Sequence, residues 1–312
     1  MLTNIYLAEP RGFCAGVSRA IQIVEKTLEI FGSPLYVRHQ IVHNNDVVRN
    51  LKKKGVKFVE NLEEVPEGSL VVLSAHGSSP EIKEGALKRN LRLIDATCPL
   101  VTKVHLEAKK FANDGYNIIL IGHRGHQEVL GTMGVTEMDL VENVKDIEKL
   151  KIKNEKIAFI TQTTLSIDDT REIIDVLKKK YPKIVSASKG DICYATQNRQ
   201  NAVKKLALKC ELILVIGASH SSNSMRLLET AKSRGVESYL IENHSQIKKI
   251  RFNEVTNLGI TAGASVPEKV VQEVLKEIKN IFPKAKINNL KVSEENIIFP
   301  LPKIDLTLNN NK

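Results

Sequence analysis

The sequence predicts an α/β protein that is built from mainly parallel β-sheets. Short apolar runs of strand length alternate along the chain with amphipathic segments of helix length, which is the pattern of repeated strand–helix units. The same order of elements occurs three times, and the repeats are punctuated by Cys14, Cys98 and Cys193, which are almost evenly spaced. We therefore expect three similar α/β units that are arranged around one centre.

The first unit extends over 15–97 and follows a segment, 1–14, that contains an N-terminal strand and the first of these cysteines. After Cys14 comes a helical segment, and strand-like runs follow at 35–43 and 71–76. The two runs end in His43 and His76, and the unit then leads into Cys98. The unit thus places a polar side chain at each strand end.

The second unit, 98–192, and the third unit, 193–285, repeat this order. A strand-like run leads to His126 and another ends at Thr163 in the second unit, and the equivalent runs of the third unit lead to Ser221 and Ser265. The third unit has no closing cysteine of its own. The strand before Cys14 can supply one, which would close the three units into a ring. Residues 286–312 are expected to form an extended closing segment with a disordered tail at 309–312.

The three cysteines each lie where an extended apolar run gives way to a helix. The positive end of the helix dipole favours a thiolate, so three thiolates can converge on a soft metal centre such as an iron–sulfur cluster. Three ligands would leave one iron open to a substrate. The alternative is that these cysteines only pack in the core, since no pair has C-x-x-C spacing. The polar turns around them favour the ligand role, whereas Cys210, in an apolar helical run, is interpreted as a packing residue.

The composition restricts the class of protein. The chain has 312 residues and a net charge of +10, which suits an anionic substrate or an acidic partner, and no basic–aromatic surface predicts a nucleic-acid partner. No apolar run approaches the ~20 residues of a membrane span, and the N-terminus has no signal-peptide layout, so no membrane association is expected. Four cysteines in this length do not make a disulfide framework, which favours the reducing cytoplasm.

Polar side chains that can bind an anion follow the predicted strands. These residues are His43, His76, His126, Ser221, Ser222, Asn223 and Ser265. The imidazoles, if protonated, provide charge-assisted hydrogen bonds, and the serines and the asparagine precede helical runs, whose first turns bind anions. Each residue alone is compatible with an ordinary polar turn or an N-cap. The repeated order favours one shared site beyond the carboxyl ends of the strands.

Several motifs resemble the 4-hydroxy-3-methylbut-2-enyl diphosphate reductase family. The resemblance extends over nearly the whole chain, from about residue 5 to residue 299. It rests on these segments: PRGFCAGV at 10–17, SAHG at 74–77, DATCPLV at 95–101, GTMG at 131–134, TQTTLS at 161–166, DICYAT at 191–196, SSNS at 221–224 and TAGAS at 261–265. One departure is Gln127, where many members of the family carry proline.

The resemblance implies a trefoil of three pseudo-symmetric α/β units around a central iron–sulfur cluster. The implied activity belongs to the non-mevalonate route of isoprenoid biosynthesis. It is the reductive removal of the allylic hydroxyl of 4-hydroxy-3-methylbut-2-enyl diphosphate, which gives isopentenyl and dimethylallyl diphosphates. The implied cofactor is a [4Fe–4S] cluster that is ligated by Cys14, Cys98 and Cys193 and has one open iron. The implied electron donor is reduced ferredoxin or flavodoxin, and we expect a monomer.

The same resemblance implies roles for the polar residues. The seven anion-binding candidates would bind the diphosphate, Glu128 would donate a proton, and Thr163 would position the substrate hydroxyl. If 126–128 is an extended turn, His126 and Glu128 face the same side of the chain and reach one pocket. The ordinary alternative for Glu128 is an exposed glutamate on a glycine-flanked loop.

The residues alone leave other functions open. A hydro-lyase would use an open cluster iron only as a Lewis acid and would need no electron donor. An iron–sulfur regulatory protein would bind nucleic acid through its positive charge, although the sequence has no recognisable helix-turn-helix or basic arm. A nucleotide-binding α/β protein is disfavoured, because neither GxxxxGK[ST] nor a strand-following GxGxxG occurs.

Overall fold

A computed structural model of the protein describes residues 2–152, 154–187 and 190–303. It confirms the predicted α/β class: the described strands form three sheets, and all of their pairings are parallel. The tail at 309–312, which was predicted to be disordered, lies outside the described residues. In the part of the chain that the structure describes, no helix is long and apolar enough to cross a membrane.

The N-terminal strand β1 (Asn4–Glu9) leads to Cys14 and the first sheet. The elements that follow are α1 (Ala15–Phe31), β2 (Leu35–Arg38), α2 (Asn45–Lys53), β3 (Val56–Val59), a 3₁₀ helix (Leu62–Glu64), β4 (Leu70–Leu73), α3 (Pro80–Lys88) and β5 (Arg92–Asp95). The strands of this sheet have the order β3–β2–β4–β5. Cys98 follows β5, the fourth strand of the sheet.

The second sheet repeats this arrangement. Its elements are α4 (Pro99–Asn113), β6 (Asn117–Ile121), α5 (Gln127–Met133), β7 (Asp139–Val141), α6 (Val144–Lys149), β8 (Ile157–Thr161), α7 (Ile167–Lys180) and β9 (Val185–Ser186). The strand order β7–β6–β8–β9 is the order of the first sheet. Cys193 follows β9, which again is the fourth strand.

The third sheet uses the N-terminal strand as its fourth member. The elements from the C-terminal part of the chain are α8 (Tyr194–Ala207), β10 (Leu212–Ile216), α9 (Ser222–Ser233), β11 (Glu237–Ile241), a 3₁₀ helix (His244–Lys249), β12 (Asn257–Ala262), α10 (Glu268–Ile281) and β13 (Lys286–Lys291). The order is β11–β10–β12–β1–β13, with Ile5 of β1 opposite Leu258 of β12. β1 therefore closes the third unit, as predicted, and Cys14 is the residue that the third repeat lacked. The unit boundaries at 15–97, 98–192 and 193–285 stay predictions.

The core of each unit lies between its sheet and the flanking helices. Every residue of β4, β8 and β10 is buried, which is why these strands are continuous apolar runs rather than alternating ones. Helix α10 buries Val270, Val274 and Ile278 on one face, with the spacing of an amphipathic helix. The buried sheets fix the positions of the strand ends and therefore of the polar residues that directly follow them.

Candidate functional site

Each of the three repeated cysteines occupies the same place in its unit. Each is the N-cap of the helix that follows the fourth strand: α1, α4 or α8. Its backbone N–H donates to a carbonyl just beyond the neighbouring strand, at 3.0 to 3.1 Å, and the pairs are Cys98 with Ala75, Cys193 with Thr163 and Cys14 with Ala264. The threefold repeat of the fold thus brings the three thiols to one central space.

The space beside the sulfurs is kept open by Gly16. A Cβ added there would lie 2.6 Å from the Cys98 Sγ and 3.9 Å from the Cys14 Sγ, and the first distance is too short for a real side chain. All four cysteines of the chain are free of disulfides. No side chain of the described residues fills the cavity that the three unpaired thiols line, and such a donor set fits an iron–sulfur cluster.

The buried thiols do not ionise readily in the protein alone. Burial raises the pKa of Cys98 to about 12 and that of Cys193 to about 11, and the neighbouring cysteines add to both increases. The expectation that the helix ends favour thiolates is therefore wrong for these two residues, because the cost of desolvation exceeds the effect of the helix dipole. Thiolates packed together need a positively charged partner, and metal binding supplies one while it releases the protons.

The described residues contain no group of three or more His, Cys, Asp or Glu side chains that is arranged about a single metal ion. A [4Fe–4S] cluster makes a different demand from a single ion, because each cysteine would ligate a different iron atom. The sulfurs consequently need to face a common space and do not need to meet at one point. The arrangement of Cys14, Cys98 and Cys193 meets this weaker condition.

One cavity of about 110 Å³ brings together every residue that the sequence predicts for the site. This volume exceeds what a single water needs. Its lining includes Cys14, His43, His76, Cys98, His126, Glu128, Thr163, Cys193, Ser221, Ser222, Asn223 and Ser265. The residues come from all three units, and each follows the carboxyl end of a parallel strand, where α/β sheets bind ligands.

Glu128 is a buried carboxylic acid at the second position of helix α5. Only 3% of the residue is exposed. The Thr163 N–H donates to Oε1 at 2.6 Å, and the Thr163 hydroxyl lies 2.9 Å from Oε2. Burial raises the pKa of Glu128 to about 7, although the hydrogen bonds with Thr163 act to lower it. A substantial fraction of this carboxyl is therefore protonated at neutral pH.

The local geometry at His126 differs from the expected extended turn. His126 is the N-cap of α5, and its Nδ1 accepts a hydrogen bond from the Glu128 N–H at 3.2 Å. The two side chains line the same cavity because they belong to the cap and the first turn of a helix, so the reasoning from an extended chain was wrong. Gln127 occupies the first helical position, where proline is favoured.

The three predicted imidazoles form a compact group. The rings of His43 and His76 are stacked with centroids 4.1 Å apart, and the His126 ring lies 5.5 and 6.0 Å from them. Because Nδ1 of His126 accepts a hydrogen bond, its Nε2 carries the proton and can donate. The Nε2 of His43 is buried and has no hydrogen-bond partner among the described residues. Such an unsatisfied atom is expected where a ligand binds.

The imidazoles are neutral in the protein alone. Burial lowers the pKa of His43 to about 3 and that of His126 to about 4, and it holds the pKa of His76 well below its ordinary value. The condition for charge-assisted hydrogen bonds, protonated imidazoles, is therefore not met in this state. A neutral imidazole still donates one N–H, and an anion bound beside the rings would raise their pKa.

The residues of the third unit also join the units to each other. The hydroxyl of Ser222 donates to the Thr164 carbonyl at 2.9 Å, and that of Ser265 donates to the His43 carbonyl at 2.9 Å. Ser221 caps α9 through its hydroxyl, and the Oδ1 of Asn223 accepts a hydrogen bond from the Ala264 N–H at 2.8 Å. The site is thus assembled by hydrogen bonds that cross from unit to unit.

Two further residues of the TQTTLS segment contribute to the site. Gln162 accepts a hydrogen bond from the His123 N–H at 3.0 Å and donates to the hydroxyls of Thr164 and Ser222 at 2.9 and 3.3 Å. Thr164 itself lines the cavity. Both residues lay within a recognised motif, but nothing in the sequence separated them from Thr163.

Two residues near the site could not be found from local sequence. Phe299 lines the cavity from the C-terminal segment, far along the chain from every motif that points to a metal. The second residue, His220, is exposed, and its ring lies 5.5 Å from that of His43. Its Nε2 lies 3.1 Å from the Gln40 Oε1. Their positions depend on how the units pack.

Comparisons with known proteins give the family. The model of the LytB protein family matches residues 5–279. A Nitrosomonas europaea protein named 4-hydroxy-3-methylbut-2-enyl diphosphate reductase is 50% identical over 315 residues, which cover 97% of this chain and 98% of that protein. A Psychrobacter protein of the same name is 53% identical over 307 residues, or 96% of each chain.

A solved structure has the same fold over nearly its whole length. It is the E-1-hydroxy-2-methyl-but-2-enyl-4-diphosphate reductase from Plasmodium falciparum, with a TM-score of 0.92 and 42% sequence identity. The match covers 98% of this chain and 96% of that one. The trefoil of three parallel sheets is therefore shared with this structure. The extent of the family match and the identity to full-length relatives show that this chain belongs to the LytB protein family.

Proposed function

We propose that this chain is an iron–sulfur reductase that acts on 4-hydroxy-3-methylbut-2-enyl diphosphate in isoprenoid biosynthesis and forms isopentenyl and dimethylallyl diphosphates. The observation that supports this most strongly is the content of one cavity: three unpaired thiols, a buried carboxylic acid, and polar donors from all three units. Relatives of about 50% identity carry the name of this reductase.

The reaction replaces a C–O bond by a C–H bond, so it consumes two electrons and two protons and releases water. Cys14, Cys98 and Cys193 would hold a [4Fe–4S] cluster with one open iron. When bound, such a cluster supplies electron transfer and a Lewis acid within the cavity. The remaining chemistry belongs to residues of this chain.

The diphosphate would be held by hydrogen bonds from every unit. The proposed donors are His43, His76, His126, Ser221, Ser222, Asn223 and Ser265. The hydroxyls of Ser222 and Ser265 donate to carbonyls in the free protein and would turn to the phosphate oxygens on binding, because each has one proton to donate. Hydrogen bonds to charged oxygens are about twice as strong as neutral ones, and the first turn of α9 adds backbone N–H groups that favour an anion. Burial of this group excludes water from the phosphate oxygens and strengthens each contact.

Glu128 would supply the proton for the leaving hydroxyl. Its pKa of about 7 keeps a proton available at neutral pH, and the Thr163 hydroxyl, 2.9 Å from Oε2, can position the substrate oxygen beside that proton. The C–O bond then breaks with release of water rather than hydroxide. Protonation of the leaving group by a positioned acid is general acid catalysis.

The proposal also includes partners and location. We propose reduced ferredoxin or flavodoxin as the electron donor, because the chain has a net charge of +10 and an acidic partner would be attracted to it. We propose that the protein is a monomer. We further propose a cytoplasmic location, because all four cysteines are unpaired and a reducing compartment keeps thiols free.

The test is anaerobic purification with measurement of iron and sulfide per chain, followed by turnover of the hydroxylated diphosphate with dithionite as the reductant. We expect a bound cluster and formation of both isomeric products only when the reductant is present. Release of water from the substrate without a reductant would instead favour a hydro-lyase. Preparations that take up iron and sulfide but do not consume the substrate would contradict the proposed activity.

A further inference from the structure

The segment after β13 has no regular secondary structure, yet it reaches the cysteine site. We call residues 292–300 the C-terminal strap. Phe299 of the strap lines the same cavity as Cys14, Cys98 and Cys193, whereas its neighbour Ile298 is 88% exposed. The Val292 N–H still donates to the Glu9 carbonyl of β1 at 2.8 Å, but residues 293–300 form no strand or helix and need side-chain contacts to hold their position.

Arg199 supplies the first of these contacts. It is fully buried on α8 and pairs with the strap carboxylate of Glu295 at 2.9 to 3.2 Å. The same guanidinium donates to the Gly12 carbonyl at 2.8 and 3.2 Å and to the Ala195 carbonyl at 2.9 Å. Gly12 stands two residues before Cys14, and Ala195 stands two residues after Cys193. One buried arginine therefore joins the strap to the loop before Cys14 and to the first turn of α8, the helix that Cys193 caps.

Arg19, on α1, supplies the second contact. Its Nε donates to the Pro300 carbonyl at 2.8 Å, and its NH1 group donates to the Thr97 carbonyl at 3.1 Å. Thr97 directly precedes Cys98. With this second arginine, the strap is connected to the loops before Cys14 and Cys98 and to the helix that Cys193 caps, and Phe299 lies between the two anchoring points.

We propose that the C-terminal strap is a positioning element that closes the cysteine site, with Phe299 as a wall held in place by Glu295–Arg199 and by Arg19. The apolar surroundings of a metal centre control the access of solvent to it. The strap would therefore slow the attack of oxygen, chelators and alkylating reagents on the three cysteines and on a cluster bound by them. The cluster part of this proposal rests on the proposed function.

The roles of Glu295 and Phe299 can be separated by substitution. Glu295→Gln removes the carboxylate that faces the buried Arg199 charge, and a buried charge without a partner is strongly unfavourable, so we expect the strap to detach. Phe299→Ala removes only the wall and leaves both arginine contacts in place. The chain offers matched controls in the adjacent residues: Glu294→Gln, at an exposed carboxylate that pairs with Lys291, and Ile298→Ala.

The first measurement uses the metal-free protein. Rates of iodoacetamide alkylation at each cysteine, resolved by mass spectrometry, report access to the thiols directly, with Cys210 as an internal reference. Hydrogen exchange of 292–300 reports whether the strap is attached. We expect faster alkylation of Cys14, Cys98 and Cys193 in Glu295→Gln and Phe299→Ala, and faster exchange of the strap in Glu295→Gln.

The second measurement uses the cluster-loaded protein in air-saturated buffer with EDTA. We expect the visible absorbance of the cluster to decay about tenfold faster in the two strap variants. Loss of groups that support metal ligands typically lowers metal affinity or activity by about 10- to 100-fold. Rates equal to those of the two controls, in both measurements, would overturn the proposal. A wild-type protein that takes up no iron and sulfide would contradict the proposed function, and the alkylation rates would still decide whether the strap shields the thiols.

Discussion

At the scale of single residues, the chemistry of Glu128 depends on its burial. An exposed glutamate is ionised at neutral pH, whereas burial raises the pKa of Glu128 to about 7. Glu128→Gln keeps the shape but cannot release a proton, and general acid catalysis typically contributes about 10²–10⁴-fold. We expect this variant to retain the cluster and bind substrate, with turnover at least about a hundredfold slower. The exposed Glu137 provides the matched control, Glu137→Gln, and near-normal turnover in the Glu128 variant would locate the proton source elsewhere.

The same residue predicts a pH dependence. A carboxyl whose pKa is raised to about 7 is protonated below that pH and loses its proton as the pH rises through it. Because kcat/KM reports the ionisation of the free enzyme, it should fall as the pH increases above about 7. This fall in kcat/KM should be absent in Glu128→Gln, because the variant has no carboxyl group at this position to lose a proton. If kcat/KM of the variant still falls at the same pH, the fall is caused by the ionisation of another group.

The sequence led to Glu128 as the proposed acid but did not predict its environment. Its residue type and the resemblance to the family pointed to Glu128, whereas its buried environment includes Thr163, which follows β8. The helix start at His126 had no local signal, because Gln127 replaces the proline that favours a first helical position. The ionisation of Cys98 was misjudged, and the protonation of His43 was left open, for a related reason. The helix dipole and the neighbouring charges are readable from sequence, but the desolvation that dominates both pKa values is not.

At the scale of elements, the position of each cysteine is set by the fourth strand of its sheet, which the cysteine follows in the chain. Each cysteine is the N-cap of the next helix and has the same backbone hydrogen bond. Serine at position 14, 98 or 193 replaces a soft thiolate ligand by a hard hydroxyl, so we expect each variant to lose a stable cluster, as measured by iron and sulfide content. Cys210 packs in an apolar core, and Cys210→Ser should keep iron content and turnover near wild type. Equal iron loss from the Cys210 variant would contradict the ligand assignment.

The strand-end donors lead to a separate prediction about binding. Truncation of His43, His76 or Ser222 to alanine removes one hydrogen bond to a charged ligand, which is worth about 1.5–3 kcal/mol. The affinity for inorganic diphosphate should therefore fall roughly ten- to a hundredfold, by calorimetry, with the cluster content unchanged. His244 is exposed and does not line the cavity, and His244→Ala is the control. Normal diphosphate binding by a variant would show that its residue is not a ligand.

Elements with strong apolar patterns were predictable, and those that depend on distant partners were not. β10 is a continuous buried run, and the repeat of such runs gave the three units and the closing role of β1. β9, in contrast, contains only Val185 and Ser186, which are both exposed, so neither length nor hydrophobicity marks it. The strap is held by Arg199 and Arg19, whose partners are remote in sequence, and Phe299 therefore had no local signal of its place in the site.

At the scale of the whole molecule, the site lies where the three units meet. Its hydrogen bonds cross the boundaries between units, as in Ser265 to the His43 carbonyl and Ser222 to the Thr164 carbonyl. None of the units carries a complete set of thiols, acid and donors. A ligand that binds there must contact all three units, so its binding energy is expected to stabilise the assembly of the units as well as the local contacts.

This arrangement predicts that inorganic diphosphate protects all three units from hydrogen exchange. A ligand present at 100 times its Kd stabilises the folded state by about 2.7 kcal/mol, and bridging contacts distribute that stabilisation over the strand ends. We expect slower exchange in 41–45 and 74–79 of the first unit, in 126–130 and 163–166 of the second, and in 221–225 and 265–268 of the third. In Ser222→Ala, the concentration needed for this protection should increase, while its distribution over the three units stays the same. Protection that is confined to the α9 start would mean that the anion binds only to that helix and that the imidazoles of the other units do not contact it.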